Sequence, residues 1–598
     1  MPDLRILLVH GVGHAEANPQ WSQTWQDAIE ASLRESGFQG KPLYQAVPYD
    51  ALFDKYNKGP QVYAAAVAEL LASAAWQAIT DPFAHFLHRE MVARDLGDEV
   101  RWRVGMVAQW VVEEALRTEC RKTILSAMDD FKPTIVAAHS LGSLLTYDTF
   151  THDQEGRDAI DGLTYLTFGS QIANPFVKAR AWAGRVVMLE KAKFWYHLFN
   201  HRDPVLTHEI KLPGTTNFLQ VTTDSPAGHS PVSENGSPGY LDNPNTRNLV
   251  WRQVAQAPAA RQMARTFSIV RDAVATPKRR ALLVGINNYP DPANHLEGCV
   301  NDVFLISSLL QENGFDPEDI RVVLDERATR ATILDRLGWL LDGAQDNHER
   351  VFFYSGHGAQ IPSYGAKEEV DHMDECLVPY DFDWSPGSAI TDDAFFDLYS
   401  QLPYDARFLS IFDCCHSGGL TRDGSHKARG LNPPDDIRHR ALRWNIKEQM
   451  WEDRPLPESN PDLSDTRKCR IKYTGESGAV HALGRAIPLR ALRDKTNERI
   501  CKQLGHKGPF MPVIFEACGE EQLSYEYRHG ATSYGAFTFA LAKNLRVSSK
   551  RPSFQALINK TNKTLEKLRY DQTAHVIGPS AVIDKPIPGK PGQTRKNK

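Results

Sequence analysis

Cysteine is scarce in this chain: eight in 598 residues, at no regular spacing. That excludes a disulfide framework of the small secreted kind and fits a reducing compartment. Charge of one sign is also lacking. The 69 Lys and Arg against 74 Asp and Glu leave a formal −5, so nothing marks nucleic acid as a partner. Long apolar runs are missing as well. The most alanine-rich stretch, Val62 to Ile79, is broken by Glu69 and Gln77; it reads as a packed helix, and no stable membrane insertion is expected. Met1-Pro2-Asp3-Leu4-Arg5 enters a strand at once, without the layout of a signal peptide. The expected location is cytoplasmic.

What remains is an ordinary globular composition, 41% hydrophobic and 24% charged, long enough for more than one core at roughly 150 residues per domain. Two apolar runs in the second half end alike. Val351-Phe352-Phe353-Tyr354 passes into Ser355-Gly356-His357-Gly358, and Arg407-Phe408-Leu409-Ser410-Ile411-Phe412 into Asp413-Cys414-Cys415-His416-Ser417-Gly418-Gly419. Both read as buried parallel strands. Further strands are expected at Ala281–Ile286, Ile320–Leu324 and Glu375–Val378, with helical patterns at Asp302–Glu312, Thr329–Gly343 and Thr391–Gln401 between them. That alternation predicts an α/β fold with a mainly parallel sheet flanked by helices, whose ligand site lies beyond the carboxyl ends of the strands. His357 and Cys415 both stand there. A thiolate is the nucleophile, and a nearby imidazole favours it and carries the proton.

Tyr-Ser-Gly-His-Gly followed by Asp-Cys-Cys-His-Ser-Gly resembles the metacaspases, caspase-like cysteine peptidases; the gap, 415 − 357 = 58 residues, is near the roughly 50 of caspases. The resemblance spans about 279–580. It selects Cys415 over its rivals Cys414 and His416, with backbone N–H groups of Cys415 and Gly358 as oxyanion donors. It also implies that Asp302 and Asp413 line a pocket for Arg or Lys, which suits a bidentate arginine; the plain alternatives are a helix cap for Asp302 and a strand-end turn for Asp413. No cofactor is required for the chemistry. Calcium as an activator is implied through Asp374, Asp392, Asp393 and Asp423, although Asp392 and Asp393 also open a helix, where carboxylates are favoured anyway. The segment 424–510, rich in Arg, Lys, Pro and Gly, is expected as an inserted linker with self-cleavage sites such as Arg470, Arg485 and Arg490.

The first half, 1–275, is a separate domain. Arg5-Ile6-Leu7-Leu8-Val9 runs into His10-Gly11-Val12-Gly13-His14, whose histidines shape the turn. A helix from Trp21 to Ser36 follows, and residues 55–130 read as a helical lid. Thr134-Ile135-Val136-Ala137-Ala138 then ends in His139-Ser140-Leu141-Gly142-Ser143 before a helix. Strand, sharp turn and helix resemble the nucleophile elbow of the α/β-hydrolases, G-x-S-x-G, with Ala138 in the first glycine's place. Asp203 follows the strand Trp195–Phe199, and His229 follows Asn217–Thr222, with His201 and His208 as rivals. The order Ser140, Asp203, His229 is that of the hydrolases. The oxyanion donors are the N–H groups of Leu141 and of the Gly11–Val12 turn.

A final helix is expected over 243–272, then a polar linker whose Lys278-Arg279-Arg280 is a natural cut site. The expectation is a two-headed hydrolase: a peptidase for protein substrates with Arg or Lys at the cut, fused to a serine hydrolase for a small ester or lipid. The alternative is a peptidase whose first domain is a non-catalytic binding or assembly module, serving as a stress or defence effector.

Overall fold

The computed structural model describes residues 4–12, 20–58, 62, 63, 66, 70, 98–203, 205, 207–212, 215–255, 277–362, 373–385, 387–414, 429, 431, 442–445, 450–453, 494–519, 522–529, 532–548 and 550–588. They fall into two compact units, Met1–Ala275 with Asp494–Pro509, and Thr276–Arg493 with Phe510–Lys598.

In the first unit the strands are β1 (Arg5–Val9), β2 (Leu43–Ala46), β3 (Ile135–His139), β4 (Thr164–Phe168), β5 (Phe194–Phe199) and β6 (Phe218–Thr222). They pair in the order β2-β1-β3-β4-β5-β6, every neighbour parallel. Strands covered on both faces need apolar residues at every position, which is why β1 and β3 read as unbroken runs. Alternate side chains go to opposite faces. Ile6 and Leu8 pack with Trp21, Trp25, Ile29 and Leu33 of α1 (Trp21–Glu35). Leu7 and Val9 face α3 (Asp98–Val112), α4 (Glu114–Phe131) and α5 (Leu141–His152), which come after the short α2 (Asp50–Lys55). Each such side chain, fully buried, contributes about 1.5–3 kcal/mol.

The packing bears on part of the lid expected over 55–130. Trp110 of α3 and Leu116, Ile124 and Met128 of α4 belong to the core on one face of the sheet, so these two helices form a layer that flanks the sheet; residues 71–97 lie outside the described residues. α5 is buried along Leu141–Thr151, so it shows no amphipathic stripe. Its threonines are satisfied internally: Thr146, Thr149 and Thr151 donate to the carbonyls of Gly142, Leu145 and Tyr147. After it come α6 (Gln154–Ala159) and α7 (Pro175–Trp182). Of the last expected helix, 244–255 is helical and the rest lies outside the described residues.

The second unit is built on β7 (Arg279–Gly285), β8 (Ile320–Leu324), β9 (Glu349–Ser355), β13 (Arg407–Asp413), β16 (Val513–Glu516) and β19 (His575–Ile577). Their order is β19-β16-β13-β9-β7-β8, parallel except for the edge strand β19. α8 (Cys299–Glu312) and α9 (Arg330–Leu341) pack on β7 and β9, while α12 (Ala536–Val547) and α13 (Phe554–Lys567) share a core with α8. The strand expected at Glu375–Val378 is displaced from this sheet. It runs Met373–Leu377 as β11, antiparallel between β10 (Gly358–Pro362) and β12 (Ile390–Thr391). α10 (Asp392–Tyr399) follows β12, and two antiparallel pairs lie apart from the main sheet, β14 (Leu442–Asn445) with β15 (Met450–Asp453) and β17 (Glu526–His529) with β18 (Thr532–Gly535).

Lys278-Arg279-Arg280 is not an open linker. Arg279 and Arg280 begin β7, in register with Glu349 and Arg350 of β9. Arg279 Nε donates to Glu349 at 2.9 Å and Arg280 Nη1 to the Trp339 carbonyl at 2.9 Å. A bond held in a parallel ladder must unpair before it can enter a protease cleft, so a cut there first requires the start of β7 to open.

Candidate active sites

In the second unit the register places Asp413 opposite Ser355. His357 lies two residues beyond Ser355, and Cys415 two beyond Asp413. Cys415 lies outside the described residues, as do His416 and Asp423. Cys414 is described and buried. The His357 ring is fixed by its surroundings: Nε2–H donates to the Asn294 carbonyl at 2.7 Å, and the backbone N–H donates to Tyr289 Oη at 2.8 Å. With its proton held on Nε2, a neutral imidazole keeps its lone pair on Nδ1. Tyr354 Oη bonds the His357 carbonyl at 2.8 Å and the Val378 carbonyl at 2.7 Å, tying the turn to β9.

Asp302 is on the first turn of α8, whose N-cap is Gly298; the capping alternative does not apply. Its carboxylate is fully buried. It accepts from Gly535 N–H at 2.8 and 3.0 Å and from Ser355 Oγ at 2.8 Å. Asp413, also fully buried, accepts from Ser524 Oγ at 2.7 Å and from Thr538 Oγ1 at 2.6 Å. Between them sits a residue that sequence reasoning missed, Arg429. Its Nη1 is 3.0 Å from Asp302, 2.7 Å from Ser355 Oγ and 3.4 Å from Asp413, and Nη2 is 3.6 Å from Glu526. Its main chain is held too: Arg429 N–H donates to Ser524 O at 3.0 Å, and Gly358 N–H donates to Arg429 O at 3.1 Å.

Burial alone would lower the Arg429 guanidinium, but Cys299, Asp413, Asp302 and Glu526 around it hold it well above the ordinary arginine value. Burial pushes Asp302 up to about 7 against the pull of Arg429, and Asp413 adds to the rise. The two directions conflict for one ion pair. The contact geometry favours the ionised pair while Arg429 is seated, and the upward push on Asp302 dominates once it leaves.

Backbone placement puts Asp374 in β11 and Asp392 and Asp393 at the start of α10, which Thr391 caps. Among the described residues no group of three or more His, Cys, Asp or Glu is arranged to hold a metal.

In the first unit Ser140 stands between β3 and α5 at φ 49°, ψ −124°, without a capping bond from its side chain. That left-handed backbone is costly for a non-glycine residue and typical of functional turns. Gly142 must be glycine: a Cβ there would lie 2.2 Å from His10 O and 2.5 Å from Val9 O. At the ends of β5 and β6 the sheet brings together Asp203 and His229. His229 Nδ1–H donates to Asp203 Oδ2 at 2.8 Å, and since a carboxylate only accepts, the free lone pair of a neutral ring is on Nε2. Tyr240 Oη donates to the same Oδ2 at 2.7 Å, and Val205 N–H to Oδ1 at 2.8 Å. Asn200 Nδ2 ties the loop before His229 by bonds of 2.9 Å to the Ser225 and Gly228 carbonyls. The ring of His139, next to Ser140, is 4.4 Å from that of His229. The rival His201 is exposed.

Leu141 and Val12 are buried beside the serine turn. Leu141 opens α5, where N–H groups have no acceptor within the helix. His10 stacks on Tyr49 at 4.5 Å and is 3.2 Å from Asp50; His14 lies outside the described residues. Gln171, buried beyond β4, was not foreseen: its Nε2 donates to Ser140 Oγ at 3.3 Å and to Val205 O at 2.9 Å. Neither Gln171 nor Tyr240 belongs to a motif; only the fold brings them in.

Residues 279–422 match the family model described as metacaspase, peptidase C14 domain; the second half of the chain carries that domain. Metacaspase-1 of Schizosaccharomyces pombe is 42% identical over 149 residues, 24% of this chain and 34% of that protein. Metacaspase-4 of Arabidopsis thaliana is 30% identical over 268 residues, 41% of this chain and 62% of that protein. The chain thus spans about a third to three fifths of the length of these curated relatives. Among solved structures, caspase-1 from Spodoptera frugiperda aligns with 50% of this chain and 85% of its own, at a TM-score of 0.28 and 10% identity. Among the described residues no helix is long and apolar enough to cross a membrane.

Proposed function

We propose that the second unit is a cysteine endopeptidase that cuts protein substrates after arginine or lysine, with Cys415 as nucleophile and His357 as its acid–base partner. The observation that carries this reading is Arg429, whose guanidinium fills the acidic pocket while its carbonyl oxygen accepts from Gly358. In this reading the Cys415 thiolate attacks the carbonyl carbon of the bound basic residue, and the oxyanion takes hydrogen bonds from Gly358 and Cys415 N–H. The C–N bond breaks as the His357 imidazolium gives its proton to the leaving amine; water, deprotonated by His357, then hydrolyses the thioester. Asp302, Ser355, Asp413 and Glu526 hold the cation.

The same placement makes Arg429–Gly430 the bond for self-processing, in preference to Arg470, Arg485 and Arg490, which lie outside the described residues. The test uses fluorogenic peptides ending in Arg, Lys or Asp, and mass spectrometry of new N-termini, on wild type and Cys415→Ala. A fragment starting at Gly430 in wild type alone is the expected result. Identical fragments in both proteins would remove self-processing, and preference for Asp would remove the specificity. Activation by calcium through Asp374, Asp392, Asp393 and Asp423 is part of the proposal; equal turnover in calcium and in chelator would remove it.

A second reading is favoured by the 2.8 Å His229–Asp203 bond beside a serine held at φ 49°. It makes the first unit an α/β-hydrolase-like serine hydrolase for an ester, lipid esters included, with Ser140, His229 and Asp203 as its triad and the N–H groups of Leu141 and Val12 as oxyanion donors. A fluorophosphonate probe should label wild type and not Ser140→Ala. No labelling of wild type would favour a non-catalytic binding or assembly module.

A further inference from the structure

One element of the first unit comes from far along the chain. α11 (Asp494–Leu504) and the turn after it, to Pro509, leave the second unit between β13 and β16 and pack with residues 1–275. A parallel crossover from β13 to β16 needs only a dozen or so residues; this one detours onto another fold. The helix lies on α5 and α7. Ile500 is buried, and Leu504 packs against the core that contains Tyr147, Phe150 and Trp182, while Lys502 is exposed.

The seat is specific along its length. Arg499 Nη1 and Nη2 fork onto Glu114 at 3.0 and 3.4 Å, and that hydrogen bond holds Glu114 below the usual carboxylate range. Gln503 bonds His152, and Arg157 Nη1 reaches the Gln503 carbonyl at 3.4 Å. Gly505, at φ 73°, ends the helix and turns the chain back. His506 Nε2–H then donates to Trp182 O at 3.1 Å, and its Nδ1 accepts from Gly508 N–H at 2.8 Å. Both ring nitrogens are used, in the neutral form.

We infer that this face of the first unit is a peptide-docking site whose occupant is Asp494–Pro509, and that the seated segment keeps residues 1–255 attached to the peptidase half when the chain is cut between the units. The inference needs neither the Cys415 nor the Ser140 chemistry. It reverses the expectation that cutting the linker frees the first domain.

The test uses the full chain with Cys415→Ala, to silence self-processing, and a recognition sequence for a specific protease inserted near residue 265. After cutting, the two fragments should co-elute on size exclusion at neutral pH. Ile500→Asp with Leu504→Asp should raise the free N-terminal fragment at least tenfold, and Lys502→Asp should leave it unchanged. If the double variant precipitates, Arg499→Glu should weaken retention and adding Glu114→Arg should restore it. Separation of the fragments with the native segment, retention unchanged in the double variant, or failure of that charge exchange to weaken and restore would each overturn the inference.

Discussion

Arg429 and Asp302 form an ion pair of 3.0 Å in which neither side chain is exposed to solvent. Removing one partner of such a pair costs about 3–5 kcal/mol, because the other charge is left buried alone. In the Cys415→Ala background, Arg429→Gln should therefore lower the unfolding midpoint of the second unit by several degrees in calorimetry. In the active chain it should abolish the fragment starting at Gly430. Arg429→Lys, which keeps the charge but loses the fork, should retain slow cutting. Full processing of Arg429→Gln at the same bond would place the specificity elsewhere.

Occupancy of the pocket should depend on pH. Burial pushes Asp302 up to about 7. Once Arg429 has left, a carboxyl so raised favours its protonated form, so its contribution to stability is present below its unfolded value of roughly 4 and is lost as pH rises through the raised value. For function the sign is opposite: once Arg429 leaves, its lowering pull on Asp302 goes with it, and the emptied pocket loses a negative charge as pH falls. KM for an arginine peptide should rise as pH falls, and Asp302→Asn should flatten that dependence while raising KM overall. A profile carried in kcat alone would assign the titration to His357 and Cys415 instead.

Tyr240 supports Asp203 through a buried bond of 2.7 Å. A hydrogen bond to a charged group contributes about 1.5–3 kcal/mol. Tyr240→Phe should slow fluorophosphonate labelling of Ser140 by roughly tenfold or more, and Asp203→Asn should slow it further by releasing the His229 tautomer. Labelling of Tyr240→Phe at the wild-type rate would show that the carboxylate needs no such support.

Gly535 has no room for a side chain: a Cβ would lie 2.0 Å from Asp413 Oδ2 and 2.7 Å from Arg429 Nη1. Gly535→Ala should displace the Asp413 carboxylate, lowering kcat/KM for arginine peptides and destabilising the second unit by about 1–3 kcal/mol, the usual cost of overpacking. Denaturant titration alongside kinetics checks both.

The docked segment should loosen in acid. Burial lowers His506 to about 4. A base depressed in the fold contributes stability above its unfolded value of about 6.5, and that stability is lost as pH falls toward 4. On the cut chain, release of the N-terminal fragment should grow between those values, and His506→Gln should blunt the growth. Retention independent of pH over that range would rule out His506 as the sensitive contact.

Much of this was legible in the residues. Parallel strands buried on both faces announce themselves as unbroken apolar runs, so β3, β9 and β13 and the residues at their tips could be placed. Chain order offered His229 as a partner for Asp203 but left His208, which also follows Asp203, as a rival. Arg429 was not legible, because it is one of many basic residues in its segment and nothing local marks the one that folds back. The destination of α11 was hidden for another reason: it lies in the segment 424–510 that reads as an inserted linker, and even an amphipathic helix shows that a face is buried, never against what. α3 and α4 read as part of a lid because mixed aromatic and charged residues suit a cap as well as a helix that flanks a sheet. The five-residue β11, antiparallel and outside the main sheet, offered too few positions to reveal its partners.

The chain order of the first unit bears on its biosynthesis. Its sheet is complete at β6, which ends at Thr222, but α11 begins at Asp494, 494 − 222 = 272 residues later. By then β7, β8, β9 and β13 have already left the ribosome. The amino-terminal fold is thus finished only after most of the second unit's sheet has been translated, and a chain interrupted before Asp494 lacks the His506 bond to the Trp182 carbonyl and the Arg499 fork onto Glu114. The two halves come of age together, the earlier-made one last.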